Sequence, residues 1–245
     1  EKPKEKYELK EDDVASIIYT SGTTGHSKGV MLTHKNLVAN MQAGAGLHDD
    51  VGEYDRFLSI LPLAHTYECT VGMLVPVAYG ACIYYNAKVP SPKVLLAALA
   101  SVKPTFLMSV PLVIEKIYKS KILPGLNKNF LMRKLYTMEG ARKKLHKIAG
   151  KKLYESFGGQ LKMVGIGGAK LSAEAEKFLA DAEFPFGVGY GMTESSPLIA
   201  SMRLDKNRYR STGVAVKDTE IKIHNPDAET GEGEIWSRGP SVMKG

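Results

Sequence analysis

The chain has 245 residues, of which 44% are apolar and 24% charged, and its formal charge is +7. That balance excludes a disordered or collagen-like chain, and two cysteines, Cys69 and Cys82, are too few for a disulfide framework or a zinc site. The length suits one large domain or two smaller ones, and the positive charge points to an anionic partner: nucleic acid, a membrane surface or a phosphorylated small molecule.

Residues 1–13 are charged and polar and read as a linker. The chain opens on Glu1-Lys2-Pro3 with no signal peptide, so a piece of a longer protein is expected. Residues 14–20 (VASIIYT) are rich in β-branched side chains and predict a buried strand; a Gly/Thr/Ser loop leads to a second strand at 29–33. A helix follows from His34, with Leu37, Val38 and Met41 on one face. The alternation then continues: strand 57–61, helix 68–78, strand 81–85, and a helix capped by Ser91 with Leu95, Ala98, Leu99 and Val102 at i, i+3, i+4, i+7. Strand 105–109, helix 111–119, a basic helix over 139–156, strand 162–166 and a Ser172-capped helix with Ala175, Phe178, Leu179 and Ala182 inward complete the series. Strands alternating with helices imply right-handed crossovers and a mostly parallel, doubly wound α/β sheet with flanking helices. The uncharged run 69–87 is nearly long enough to span a bilayer, but Pro76 and Gly80 interrupt it, which favours a buried helix feeding a buried strand. Residues 219–224 alternate with period two and 234–237 form another strand, an antiparallel piece. The expected division is therefore 14–210 as an α/β unit and 211–245 as part of a β subdomain.

Three segments could carry chemistry. Residues 19–29 (YTSGTTGHSKG) place four hydroxyls, two glycines and Lys28 between two strands, which suits a polyphosphate: backbone N–H groups turn inward, hydroxyls donate and the lysine adds a charge. The spacing is not that of a Walker A loop. Residues 187–194 (GVGYGMTE) and 165–170 (GIGGAK) follow short strands, which puts both at the carboxyl edge of the sheet. Tyr190 offers a stacking face, and Thr193 with Glu194 a hydroxyl and a carboxylate suited to phosphate and Mg²⁺. The third, 61–68 (LPLAHTYE), sets His65 before a helix.

In this order, the segments resemble the adenylate-forming superfamily, and most of all its long-chain fatty acyl-CoA synthetases. Residues 19–37 are similar to its phosphate loop, 61–68 to its acyl-pocket segment, 165–172 to its adenine loop, 189–196 to its adenine and magnesium motif, and 233–245 to the strand opening its β-barrel subdomain. The resemblance implies attack of a fatty acid carboxylate on the α-phosphate of ATP, then transfer of the acyl group to coenzyme A. It implies that Thr20, Ser21, Gly22, Thr23, Thr24, Gly25 and Lys28 hold the β- and γ-phosphates. Gly167, Gly168, Ala169, Gly189, Tyr190, Gly191 and Met192 line the nucleotide; Thr193 touches the α-phosphate; Glu194, with Thr20, binds Mg²⁺. His65 stands at the mouth of the acyl pocket, near the attacking carboxylate rather than as a base, since a carboxylate is already ionised at pH 7. Catalytic roles thus fall to Thr193, Glu194, Lys28 and His65.

Ser27 replaces the proline that usually precedes the family's lysine. The family's downstream aspartate motif, its hinge and its C-terminal domain with a catalytic lysine are expected beyond Gly245, so the piece is expected to turn over poorly alone and to associate through exposed apolar surface. An adenylation domain for amino or aryl acids is the alternative within this chemistry. LPLAHTYE and the insert over 119–159 favour the fatty acyl type. A non-catalytic basic module for nucleic acid or membrane is the alternative outside it; no nucleic acid partner is expected. The whole excess of +7 lies in residues 133–152, where eight basic residues meet only Glu139. Met138, Ala141, Leu145, Ile148, Ala149 and Leu153 form an apolar stripe there, so a solvated basic face is the default reading, with the phosphates of CoA or an anionic membrane as the functional ones. ATP and CoA use suggests a cytoplasmic protein, with peripheral membrane contact through this segment.

Overall fold

The first two strands do not enter the main sheet. The computed structural model describes residues 8–21, 25–48, 50–86, 91–203 and 208–245. In it β1 (Val14–Ser21) pairs antiparallel with β2 (Ser27–Thr33) as a separate hairpin, Thr20 opposite Lys28. The expected buried strand at 14–20 is corrected here: β1 has one sheet neighbour, its residues alternate between half-buried and exposed, and Tyr19 is 74% exposed. Its inner face packs on a small core of Val30, Leu32 and Leu37.

Helix α1 (His34–Ala45) starts at a capping box. The Thr33 hydroxyl accepts from Asn36 N at 3.1 Å, and the Asn36 side chain accepts from Thr33 N at 2.9 Å. Its buried face carries Asn36, Leu37, Asn40 and Ala43, whereas Val38 points outward. After β3 (Arg56–Ser59) the chain forms a π-helical stretch, Glu68–Leu74, that runs into α2 (Val75–Ala78); a single α-helix was expected. β4 (Cys82–Tyr85) is an edge strand with exposed tyrosines, not the buried strand the apolar run implied. Then follow α3 (Pro92–Val102), β5 (Phe106–Ser109), α4 (Pro111–Ile117), α5 (Leu123–Leu126), α6 (Phe130–Thr137), α7 (Glu139–Ser156), β6 (Met163–Ile166), α8 (Ala173–Asp181), β7 (Phe186–Gly191), β8 (Leu198–Ser201) and β9 (Val214–Ala215). β10 (Glu220–His224) and β11 (Glu234–Arg238) make a second antiparallel hairpin.

The central sheet has seven strands in the order β4-β3-β5-β6-β7-β8-β9. The first five are mutually parallel; β8 and β9 are antiparallel additions. This is the mostly parallel α/β sheet with flanking helices and a C-terminal antiparallel piece that the alternation implied. Both faces are covered, as parallel sheets require. Alternate residues divide between them: Leu58, Leu107 and Val164 join Leu99, Leu153 and Phe178 on the side of α3, α4, α7 and α8. Phe57, Phe106, Met108 and Met163 join Ala43, Tyr67, Val71 and Val75 on the side of α1 and α2. Phe178 and Phe186 are fully buried, each contributing roughly 1.5–3 kcal/mol.

Ser172 caps α8 as expected, and Ala175, Phe178 and Leu179 face the core. The expected apolar stripe on the basic helix is narrower than drawn: Leu153 is buried, but Met138 and Ile148 are 57% and 59% exposed. Buried His146 bonds Asp181 at 2.9 Å and Tyr136 at 3.1 Å, tying α6, α7 and α8 together. Among the described residues no helix is long and apolar enough to cross a membrane.

Candidate active site

Three adjoining recesses gather around β6 and β7, the first two at the carboxyl edge of these strands, where open α/β sheets bind ligands. The largest, about 420 Å³, is lined by Gly168, Ala169, Gly189, Tyr190, Gly191, Arg210 and Ser211. A second, about 130 Å³, takes in Gly167, Gly168, Gly189, Tyr190, Gly191, Met192 and Thr193, and His65 faces it from the loop before the π-helix. The third is a narrow apolar pocket of about 30 Å³, lined by Val71, Val75, Phe57, Phe106, Met108 and Leu198. Gly189–Gly191 border the first two; Tyr67, Gly189 and Leu198 border the last two. The recesses therefore run in series: broad cleft, polar junction, apolar pocket.

Small residues make this possible. A Cβ on Gly165 would stand 2.6 Å from the Tyr67 hydroxyl. A Cβ on Gly191 would overlap the Pro197 carbonyl oxygen, to which Met192 N donates at 3.0 Å. His65 Nδ1 accepts from Tyr67 N at 3.1 Å, which leaves Nε2–H as a donor at the cleft. Burial, and then the neighbouring Glu68 charge, push the Tyr67 hydroxyl up, so it stays protonated. Burial pushes the Glu68 carboxyl up to about 7, which the Ser59 hydroxyl partly offsets.

The turn Thr193–Ser195 is held from three sides. Asn40, fully buried on α1, donates to the carbonyls of Ser195 (3.0 Å) and Leu198 (2.9 Å) and accepts from Leu198 N (3.1 Å). Ser196 donates to Ser241 O, and Met243 N donates to Glu194 O at 2.8 Å. Asn36 donates to Pro240 O and Val242 O, tying the same tail to α1. None of these positioning residues was among the expected site residues. Asn40 carries no local signal, because its partners lie 155 and 158 residues away.

Of the expected nucleotide residues, the structure brings together Gly167, Gly168, Ala169, Gly189, Tyr190, Gly191, Met192 and Thr193. Thr20, Ser21 and Lys28 sit at the far end of the first hairpin, with Thr20 half-buried and Lys28 exposed, and β2 packs on the Thr193–Ser195 turn. Gly25 lies in the same turn with positive φ; Gly22, Thr23 and Thr24 lie outside the described residues. Glu194 is half-buried. Among the described residues no three His, Cys, Asp or Glu side chains cluster to hold a metal. A single carboxylate fits magnesium carried in on nucleotide phosphates, not an all-protein cage.

The model of the AMP-binding enzyme family matches residues 1–245. The chain belongs to that family. Among curated relatives, the peroxisomal long chain acyl-CoA synthetase 6 of Arabidopsis thaliana is 33% identical over 99% of this chain and 37% of its own length. Long-chain-fatty-acid--CoA ligase 1 of Saccharomyces cerevisiae is 33% identical over 94% of this chain and 36% of its own. The chain thus spans under two-fifths of the length of these relatives. Among solved structures, ATP-bound MatB of Rhodopseudomonas palustris superposes with a TM-score of 0.72 at 27% identity, covering 96% of this chain and 41% of that one. A malonyl-CoA ligase in ternary complex with methylmalonyl-CoA and AMP gives 0.73 at 25%, over 98% and 46%.

Proposed function

We infer that the chain supplies the nucleotide and acyl recesses of an AMP-forming ligase that activates a long-chain fatty acid to acyl-AMP and then to acyl-CoA. The observation that carries this is the serial arrangement of the recesses. An acyl-adenylate has a broad purine nucleoside at one end, a phosphate–carboxyl junction in the middle and an apolar chain at the other. The cleft at Ala169 and Tyr190 would take the adenosine, with Tyr190 stacking on the base. The junction at His65 and Thr193 would take the reacting atoms, and the pocket at Val71 and Phe106 the start of the chain.

In the first step a carboxylate oxygen bonds to the α-phosphorus, and the bond to the β-phosphate bridging oxygen breaks, its electron pair leaving with pyrophosphate. Two anions must meet, so donors have to neutralise charge at the junction. Lys28, Ser21, Thr20 and the Gly25 turn would hold the departing phosphates, with Gly22, Thr23 and Thr24. Thr193 would donate to the α-phosphate, and His65 Nε2–H to the carboxylate. Glu194, with Thr20, would hold Mg²⁺, which supplies further charge neutralisation when it arrives with ATP. In the second step the thiol sulfur of CoA bonds to the acyl carbon, the carbon–oxygen bond to AMP breaks, and the thiol proton passes to solvent.

One solved relative is a malonyl-CoA ligase and another an o-succinylbenzoate CoA synthetase, which makes a short dicarboxylic or aryl acid the second reading. The apolar pocket argues against it. Its lining holds no lysine or arginine for a second carboxylate, and His48, its one ionisable base, is paired with Asp50. Calorimetry with non-hydrolysable acyl-sulfamoyl adenosines on the full natural chain tests the proposal. Affinity should rise with acyl length; tighter binding of the malonyl or aryl analogue would overturn it.

A further inference from the structure

Helices α6 and α7 turn an uncommon mixture of residues to solvent. On α6, Met132, Leu135 and Tyr136 are half-buried, while Phe130, Leu131, Arg133, Lys134 and Met138, just past its end, are exposed. Phe130 is 82% exposed and Leu131 63%. On α7, Lys144, Lys147, Ile148, Lys151 and Lys152 are all exposed and fall on one helical face. Between α4–α5 and α6–α7 lies a cleft of about 450 Å³, lined by Leu96, Ile122, Leu126, Met132, Leu145 and Ile148, together with Lys121 and Lys152. Met132 and Ile148 join this cleft to the outer face.

The charge is more concentrated than the 133–152 count shows. Residues 116–152 hold twelve Lys and Arg against the single acid Glu139, a net +11 in a chain whose total is +7. Four of the twelve are in ion pairs: Lys119 with Glu115, Arg142 with Asp181, Lys143 with Glu139, and Lys147 with Glu183. Lys116, Lys121, Lys128, Arg133, Lys134, Lys144, Lys151 and Lys152 make none among the described residues.

Charge alone would fit nucleic acid or free phosphate, and apolar side chains alone would fit a protein partner. Both kinds on one face satisfy the two signals that stable peripheral membrane binding needs: side chains entering the headgroup boundary, and lysines meeting anionic lipid. We propose that the α6–α7 face docks on an anionic lipid bilayer, with Phe130, Leu131, Met138 and Ile148 entering its surface and the unpaired lysines and Arg133 meeting its headgroups. This reading is independent of the acyl-CoA chemistry.

The test is sedimentation of the full natural chain with vesicles of phosphatidylcholine alone or mixed with phosphatidylserine. Binding should favour the mixed vesicles at least about tenfold and weaken with salt. The triple change Lys144→Gln, Lys151→Gln and Lys152→Gln should weaken it by roughly a hundredfold at low salt, at about fivefold per lysine. Phe130→Ser with Leu131→Ser should weaken it at unchanged charge. All five side chains are exposed, so melting temperatures should match the parent's, and any variant that fails this check is replaced by Leu131→Gln alone. Equal binding to both vesicles, no binding, or full binding by the Phe130/Leu131 variant overturns the proposal. So does RNA binding that is tighter than vesicle binding and indifferent to that variant.

Discussion

Asn40 offers the sharpest perturbation, because it lines none of the three recesses yet fixes the turn that carries Thr193 and Glu194. Its side chain makes three hydrogen bonds of 2.9–3.1 Å, all to backbone groups and all inside the protein. Asn40→Ala removes all three partners at a fully buried position. At about 1 kcal/mol per bond, and more where a carbonyl is stranded, the loss is roughly 3 kcal/mol. For a chain of this length that is a fall in Tm of about 6–12 °C. Asn40→Asp is isosteric but turns an acceptor toward two carbonyls, so it should cost at least as much. Val38→Ala on the exposed side of the same helix is the control and should stay within ~0.5 kcal/mol. Thermal and urea melts measure the stability, and ATP affinity should fall in parallel because Thr193 and Glu194 lose their support. A Tm within about 2 °C of the parent, with unchanged ATP affinity, would show that the turn does not depend on Asn40.

Three further predictions concern Glu68 and two glycines. Glu68 has a raised pKa in the fold, about 7 against 4.5. The unfolded chain therefore ionises first, and the protonated carboxyl's contribution is present below about pH 4.5 and lost as pH rises to about 7. That loss is roughly 3 kcal/mol. Glu68→Gln should flatten this part of the pH profile in urea melts, and an unchanged slope would contradict it. Gly191→Ala drives a Cβ into the Pro197 carbonyl, which must shift along with the Met192 bond. It should cost about 1–3 kcal/mol and raise the KM for ATP, as melting and steady-state assays would read. Gly165→Ala narrows the apolar pocket against Tyr67. It should lower kcat/KM for long acids more than for short ones; an equal loss across chain lengths would count against the assigned pocket.

Local patterns spoke clearly where one element meets the core alone. Ser172 and the Ala175, Phe178, Leu179 spacing define α8, and Leu95 with Leu99 define the inner face of α3. They misled where tertiary context decides. The apolar run 14–20 reads as a buried strand, but it belongs to a two-stranded hairpin covered on one side. The π-helical turn at Glu68–Leu74 has no periodic signature distinct from an α-helix over so few residues. α6 and the β7–β8 pairing also escaped prediction, the first because its apolar residues split between core and solvent. The motifs gave the linings of the clefts residue by residue. They could not give Asn36 and Asn40, whose hydrogen bonds join α1 to segments more than 150 residues away.

Serial recesses that hold one acyl-adenylate with a long apolar chain must also favour its formation from long-chain acids. Acid-dependent ATP–pyrophosphate exchange by the full natural chain, run across fatty acids of increasing length with malonate and an aryl acid alongside, tests it most directly. Exchange should need Mg²⁺, be strongest with long-chain acids and collapse in Thr193→Ala. Exchange driven best by malonate or the aryl acid, or none with any carboxylic acid, would contradict it.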